Sequence, residues 1–160
     1  MSSSSSNSSQ QTLGILLERA TTQRDEAQRN LLDLLGRAEQ ARSQHGQLTQ
    51  YRGEYQQRWG AQFARQGTMD IVACYQNFGG RLDDAIHSQS HVADHADQRA
   101  TRAREALIEL ETRVAAISKL MERRRLEVSR AQNRQEQKVT DEQAARASLA
   151  SFNPYLRLSA

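Results

Sequence analysis

The chain has 160 residues, enough for one domain, but its mean hydropathy is −0.82 and only 37% of its residues are hydrophobic. That excludes a thick globular core, and no run approaches the roughly 20 apolar residues needed to cross a bilayer. Net charge is +3 and unevenly spread: residues 119–160 hold nine Lys or Arg against five acids, so this end is the expected contact for an acidic partner.

The single proline is Pro154. A composition rich in Ala, Leu, Arg, Gln and Glu, with no earlier proline, favours long helices. The start, MSSSSSNSSQ, has no apolar stretch and no basic residue, so it does not read as a signal peptide. Residues 1–10 are expected to be a disordered Ser-rich tail. Ser8, followed three residues later by Gln11, fits a capping box and predicts a helix over about 11–63.

Within it, steps of four and three connect Leu13, Leu17, Ala20, Arg24, Ala27, Leu31, Leu34, Ala38, Ala41, His45, Leu48, Arg52, Tyr55, Trp59 and Gln62, and eleven of these fifteen positions are apolar. That is the seam of a coiled coil. A turn over about 64–68 follows. Gly67 is expected to end the first helix in the left-handed conformation, with Thr68 capping the next.

The second helix is predicted over about 69–148. Its seam reads Ile71, Tyr75, Phe78, Leu82, Ala85, Gln89, Val92, Ala96, Arg99 and Ala103. An extra step of four, a stutter, then leads into Leu107, Leu110, Val114, Ile117, Met121, Arg124, Val128 and Ala131. Residues 149–160 are expected to form a flexible tail. A short connection makes the helices antiparallel neighbours. The predicted fold is therefore all-α, an antiparallel coiled-coil hairpin with the second helix longer. A turn near residue 66 sets residue x against roughly 132 minus x, so the second helix outruns the first and carries a basic arm.

Six of the eight aromatic residues gather near the turn: Tyr51, Tyr55, Trp59, Phe63, Tyr75 and Phe78. Tyr55, Trp59, Tyr75 and Phe78 can thicken the seam. The residues at spacing four from Tyr51 to Phe63 drift about 40° per step, so they cannot all face one partner helix. The remainder reads as an exposed docking patch.

Catalytic chemistry is missing from the pattern. Carboxylates alternate with arginines as on a solvated helix, no glycine loop cradles a phosphate, and a two-helix hairpin encloses no pocket. The chain reads as non-enzymatic, with no cofactor. His87, His91 and His95 recur at spacing four, but successive steps rotate His95 away, and the set reads as a polar stripe rather than a metal site. Cys74 has no thiol partner and reads as a buried structural residue in a reducing compartment. The run from Lys119 to Lys138 could lie along nucleic-acid phosphates, but glutamates interrupt it and it offers no stacking aromatic.

Three segments resemble the flagellar FliJ family, the coiled-coil stalk of the flagellar type III export apparatus. They are YRGEY near the end of the first helix, YQNFGGRLDDAI at the start of the second, and QKVTDEQAAR near the C-terminal end. The resemblance spans about residues 11–147. It implies a cytoplasmic coupling protein, held at the inner face of the membrane through its partners and without inserting in the bilayer. Those partners are the hexameric export ATPase, the cytoplasmic domain of the membrane export gate, and export chaperones. By motif match, Gln44, Leu48, Tyr51, Tyr55, Phe78, Leu82 and Ala85 would bind the gate. The resemblance also places the basic arm in the ATPase ring, making Arg123, Arg124, Arg125, Arg130 and Arg134 its candidate contacts. Two alternatives stay open: the equivalent stalk of a virulence secretion system, and a basic nucleic-acid-binding coil.

Overall fold

The structure is a computed structural model that describes residues 2–152. Residues 153–160, with Pro154 and most of the expected C-terminal tail, lie outside the described residues, as do the side chains of residues 2–7 and 150. Two helices make up nearly all of it: α1, Ser2–Phe63, and the longer α2, Met69–Ser151. No strand occurs among the described residues.

Both termini of the pattern differ from expectation. α1 starts at Ser2, so the Ser-rich start is helical and the cap expected at Ser8 is not used. Ser8 lies inside the helix, and its carbonyl accepts the Thr12 hydroxyl at 2.9 Å. Such back-bonding one turn down lets short polar side chains sit within a helix. At the other end α2 runs on to Ser151, and the Phe152 amide closes a last bond to the Ser148 carbonyl at 3.0 Å.

The turn is also simpler than predicted. α1 closes with Arg65 and Gln66 amides both donating to the Gln62 carbonyl at 3.0 Å, a tightened last turn. No described residue has a left-handed backbone, so Gly67 does not serve as a left-handed cap. A Cβ at Gly67 would meet the Phe63 carbonyl at an ordinary 3.6 Å. α2 then opens with the Val72 amide on the Thr68 carbonyl at 3.2 Å, and Asp70 in its first turn suits the positive end of the helix.

The chain divides into two compact units, Arg19–Val114 and Met1–Glu18 with Ala115–Ala160. In the first, α1 and α2 form an antiparallel hairpin. Its buried hydrophobic residues are Ala20, Leu31, Leu34, Ala38 and Ala41 from α1, and Leu82, Ala93, Ala100 and Ala103 from α2. Leu31, Leu34, Ala100 and Ala103 pack as one cluster, joined by Leu35 and Leu107. Small residues let the helices approach closely. The apolar area per turn is small, so the hairpin draws its stability from length rather than depth.

The seam of α1 falls where the spacing put it: fourteen of its fifteen predicted positions are buried or half-buried, all but Gln62. That of α2 does so in part: twelve of its eighteen predicted positions are buried or half-buried, and Phe78, Ala85, Val92, Arg99, Val128 and Ala131 are exposed. Its continuous covered stripe is Val72, Tyr75, Gly79, Leu82, Ile86, Gln89, Ala93, Ala96, Ala100, Ala103, Leu107, Leu110 and Val114, flanked by half-buried Ile71, Ser90 and Asp97. Those steps alternate three and four without a break, so there is no stutter. The apparent one came from preferring Phe78, Ala85, Val92 and Arg99 as seam residues, all of which are exposed. At the spacing an alanine seam allows, Gly79, Ala93 and Ala100 fit between the helices, and the bulkier Phe78 and Val92 are left on its flank.

In the second unit, Leu13 is buried and Ile117, Met121 and Arg124 are half-buried. Arg124 hydrogen-bonds the Ser9 hydroxyl. From Arg125 to Leu149 every residue of α2 is exposed.

Core volume and helix propensity can be tested separately. Ala38 has no exposed surface, so Ala38→Leu should overpack the seam and destabilise the hairpin by about 1–3 kcal/mol. Gly60 is helical with nothing within 4 Å of a built Cβ, so Gly60→Ala should stabilise it by up to about 1 kcal/mol. Denaturant unfolding followed by circular dichroism would read both.

Candidate partner-binding surface

The aromatic residues near the turn are a packed cluster within the Arg19–Val114 unit. Tyr55 is its centre. Its ring stacks on Tyr75 at 5.3 Å and 15°, meets Phe78 at 4.8 Å, and lies 5.9 Å from Trp59. Trp59 continues to Phe63 at 5.6 Å, and Phe63 turns its edge to Tyr75 at 5.2 Å. These offset and edge-on arrangements are the ones aromatic quadrupoles favour. Here the seam positions change from alanine to Tyr55, Trp59 and Tyr75, whose rings fill the seam while staying half-buried.

The seven residues proposed for gate binding do not all share this environment. Tyr55 is half-buried at the cluster's centre, and Leu48 is half-buried two turns away. Tyr51 and Phe78 are 47% and 40% exposed, and Gln44 and Ala85 are exposed. Leu82 is buried in the seam and can only support the face from beneath. Gln44 is tied across the hairpin: Gln89 Nε2 donates to its side-chain oxygen and to the Ala41 carbonyl, both at 3.2 Å. Tyr51 makes none of the ring contacts above. It and the outer edge of Phe78 are therefore the apolar surface a partner could reach.

A polar group underlies this face that the sequence pattern did not single out. Arg52, at a seam position, donates from Nε and Nη2 to the two oxygens of Asp83 at 2.8 and 3.1 Å. Its guanidinium lies over Gly79, whose Cβ, if present, would be 3.3 Å from Nη2. Asp83 first and the neighbouring Tyr75 hydroxyl second hold Arg52 above the usual arginine range, and the same bond to Arg52 lowers the Asp83 carboxyl. An arginine inside a mostly apolar seam, with an acid near its paired position, is the signal that could have revealed the pair.

The remaining candidates are simpler. Cys74 is exposed, not buried, because it falls one position off the α2 seam. His87 and His91 approach Nε2 to Nε2 at 3.1 Å, so one ring can donate to the other, with their rings edge-on at 4.5 Å. No group of three or more His, Cys, Asp or Glu poised to hold a metal occurs among the described residues.

The basic residues proposed for the ATPase lie in the other unit. Arg125, Arg130 and Arg134 are exposed on α2, and Arg134 Nε donates to the Arg130 carbonyl at 3.2 Å. Arg123, 78% exposed, pairs with Glu127 at 3.1 Å, a surface ion pair worth little by itself. Arg124 is half-buried against Ser9 and less available to a partner. A shallow hollow is lined by Lys119, Leu120, Arg123, Leu126, Glu127 and Arg130. All its walls come from one helix, so it encloses nothing and cannot exclude water from a reaction. No described helix is long and apolar enough to cross a membrane.

A family model described as flagellar FliJ protein matches residues 9–151. Comparison with curated proteins and with solved structures found no match.

The electrostatics of the cluster yield a pH test. Burial, reinforced by neighbouring Cys74, Tyr75 and Tyr51, raises the Tyr55 hydroxyl above its ordinary 10.0. The folded state therefore favours neutral Tyr55. Its contribution is complete below pH 10.0 and is lost as pH rises through the raised value. Melting temperature measured from about pH 9 to about pH 12 should fall more steeply for the wild type than for Tyr55→Phe.

Proposed function

The chain belongs to the flagellar FliJ family, a component of the flagellar export apparatus, and from that premise we propose that it is a non-enzymatic coupling stalk with two separate docking faces. One face, around Tyr51 and Phe78, takes the cytoplasmic domain of the export gate. The other, the basic stretch of α2, takes the export ATPase ring, and export chaperones are its further partners. It works in the cytoplasm, held at the membrane through the gate.

The observation that carries this reading is the exposure of Tyr51 and Phe78 beside a packed aromatic cluster. Half-exposed aromatics on a preformed support are what an anchor residue needs: apolar area to bury and little side-chain entropy to lose. The basic stretch supports the second face. Seven Lys or Arg against three acids span residues 119–138, and those beyond Arg124 are exposed on a helix with no covering side chain among the described residues. Arginine forks can bond several ring carboxylates and carbonyls at once. Dispersed charge also suits a contact that must let the ring change shape, where an apolar plug would lock it.

The FliJ match favours the flagellar stalk over its virulence counterpart, and the interrupted basic run favours a protein partner over nucleic acid.

Two experiments test the reading. Tyr51→Ala with Phe78→Ala should weaken binding to the purified gate domain by roughly 30-fold, while helix content and ATPase binding stay at wild-type levels. Loss of helix content instead would make these core residues and sink the docking claim.

Removing residues 122–160 should abolish stimulation of the ATPase while gate binding survives. Replacing Arg123, Arg125 and Arg130 with Glu should weaken ring binding more than Ala replacement does, and raised salt should weaken the wild type. Normal stimulation by the truncated chain would show that the basic stretch serves another partner.

A further inference from the structure

We propose that Arg52, clasped to Asp83 over Gly79, is the positioning residue of the aromatic face: it sets the axial register of α1 against α2 at the level where Tyr51 and Phe78 must stand together. The register role rests on the clasp itself, and its consequence for docking rests on the gate-binding reading above.

The clasp joins the residues the face is made of. Arg52 is the chain neighbour of Tyr51 and one turn from Tyr55. Asp83 follows Leu82, and Gly79 follows Phe78. Its geometry is specific. Nε and Nη2 of one planar fork meet the two oxygens of one carboxylate, which fixes orientation as well as distance. A slide of one residue is about 1.5 Å along a helix and would break both bonds. The apolar seam cannot supply this discrimination. Alanine and leucine recur every three or four residues, so a shifted pairing still sets apolar against apolar.

The composition of the site supports a registering role over a stabilising one. The Arg52 side chain is only 23% exposed, and its Nη1 is buried with no hydrogen-bond partner. The Asp83 end is 57% exposed, so only the arginine is covered. A half-covered pair with an orphan donor gains little stability, and the best-attested use of such a pair is to specify pairing. Gly79 has the matching peculiarity. It is the one buried glycine among the described residues and the one whose Cβ would press on a guanidinium. A glycine in a helix interior is unfavourable, so its presence there accommodates the arginine. The other cross-hairpin polar contacts are less selective. In the Arg42–Asp97 pair only one nitrogen bonds the carboxylate, and Arg42 is 49% exposed where Arg52 is 23%. Gln89 reaches a backbone carbonyl that every residue carries.

The test uses the full-length chain with Cys74→Ser and spin labels at Gln57 and Asn77, exposed residues on α1 and α2 beside the cluster. In this background the distance between labels should be narrowly distributed. Arg52→Ala and Asp83→Ala should each broaden or shift it and weaken gate-domain binding on the order of tenfold, a usual size for coupled residues in contact. The double variant should be no worse than either single. Gly79→Ala should reproduce the effect when Arg52 is present and have none in Arg52→Ala, where the added methyl has room. Helix content should change in none of them.

An unchanged distance distribution in Arg52→Ala, or losses that simply add in the double variant, would overturn the proposal. The distances are read without any partner, so they separate the two claims. If they respond as expected while gate binding is insensitive even to Tyr51→Ala with Phe78→Ala, the register role stands and the gate-binding reading falls.

Discussion

The close approach of two helices along a stripe of alanine and leucine is the constraint on which the rest of the hairpin depends. Every buried hydrophobic residue described is one or the other, and no large side chain is fully enclosed. Such a seam is thin. It holds by repetition over many turns rather than by the depth of any one layer, and it leaves most of each helix surface to solvent. It also dictates where bulk can go. The rings gather near the turn, where Tyr55, Trp59 and Tyr75 take the seam positions and Phe78 stands on the flank.

A repetitive seam has a corresponding weakness: it says little about axial alignment. Polar groups supply what it lacks. Gln89 crosses to Ala41 and Gln44, Arg42 to Asp97, and Arg52 to Asp83. Surface pairs of this kind add little to stability, and their worth lies in the arrangement they exclude. The one whose arginine is largely covered, Arg52 with Asp83, adjoins the aromatic face.

The two units differ in the surface they offer. Arg19–Val114 carries rings on a packed support, suited to specific recognition. The other unit offers a charged helix, much of it covered by nothing described, suited to a less exacting contact. The chain belongs to the flagellar FliJ family, a component of the flagellar export apparatus, and the two surfaces are those proposed above for two separate contacts.

The all-α hairpin, the turn between Phe63 and Met69, and the α1 seam were legible from the sequence because helical periodicity is a local property, repeated often enough to outweigh single exceptions. The aromatic concentration at the turn was legible for the same reason. The phase of the α2 seam was not. Hydropathy favours Phe78 and Val92 over Gly79 and Ala93, and only the distance between the helices, a tertiary quantity, decides that the small residues go inside. The same close approach brought Arg52 and Asp83 together across 31 residues of chain, with Gly79 beneath the guanidinium. Sequence patterning could state which residues were apolar or charged. Which of them met depended on how near one backbone came to the other, and that was settled by the smallest residues in the seam.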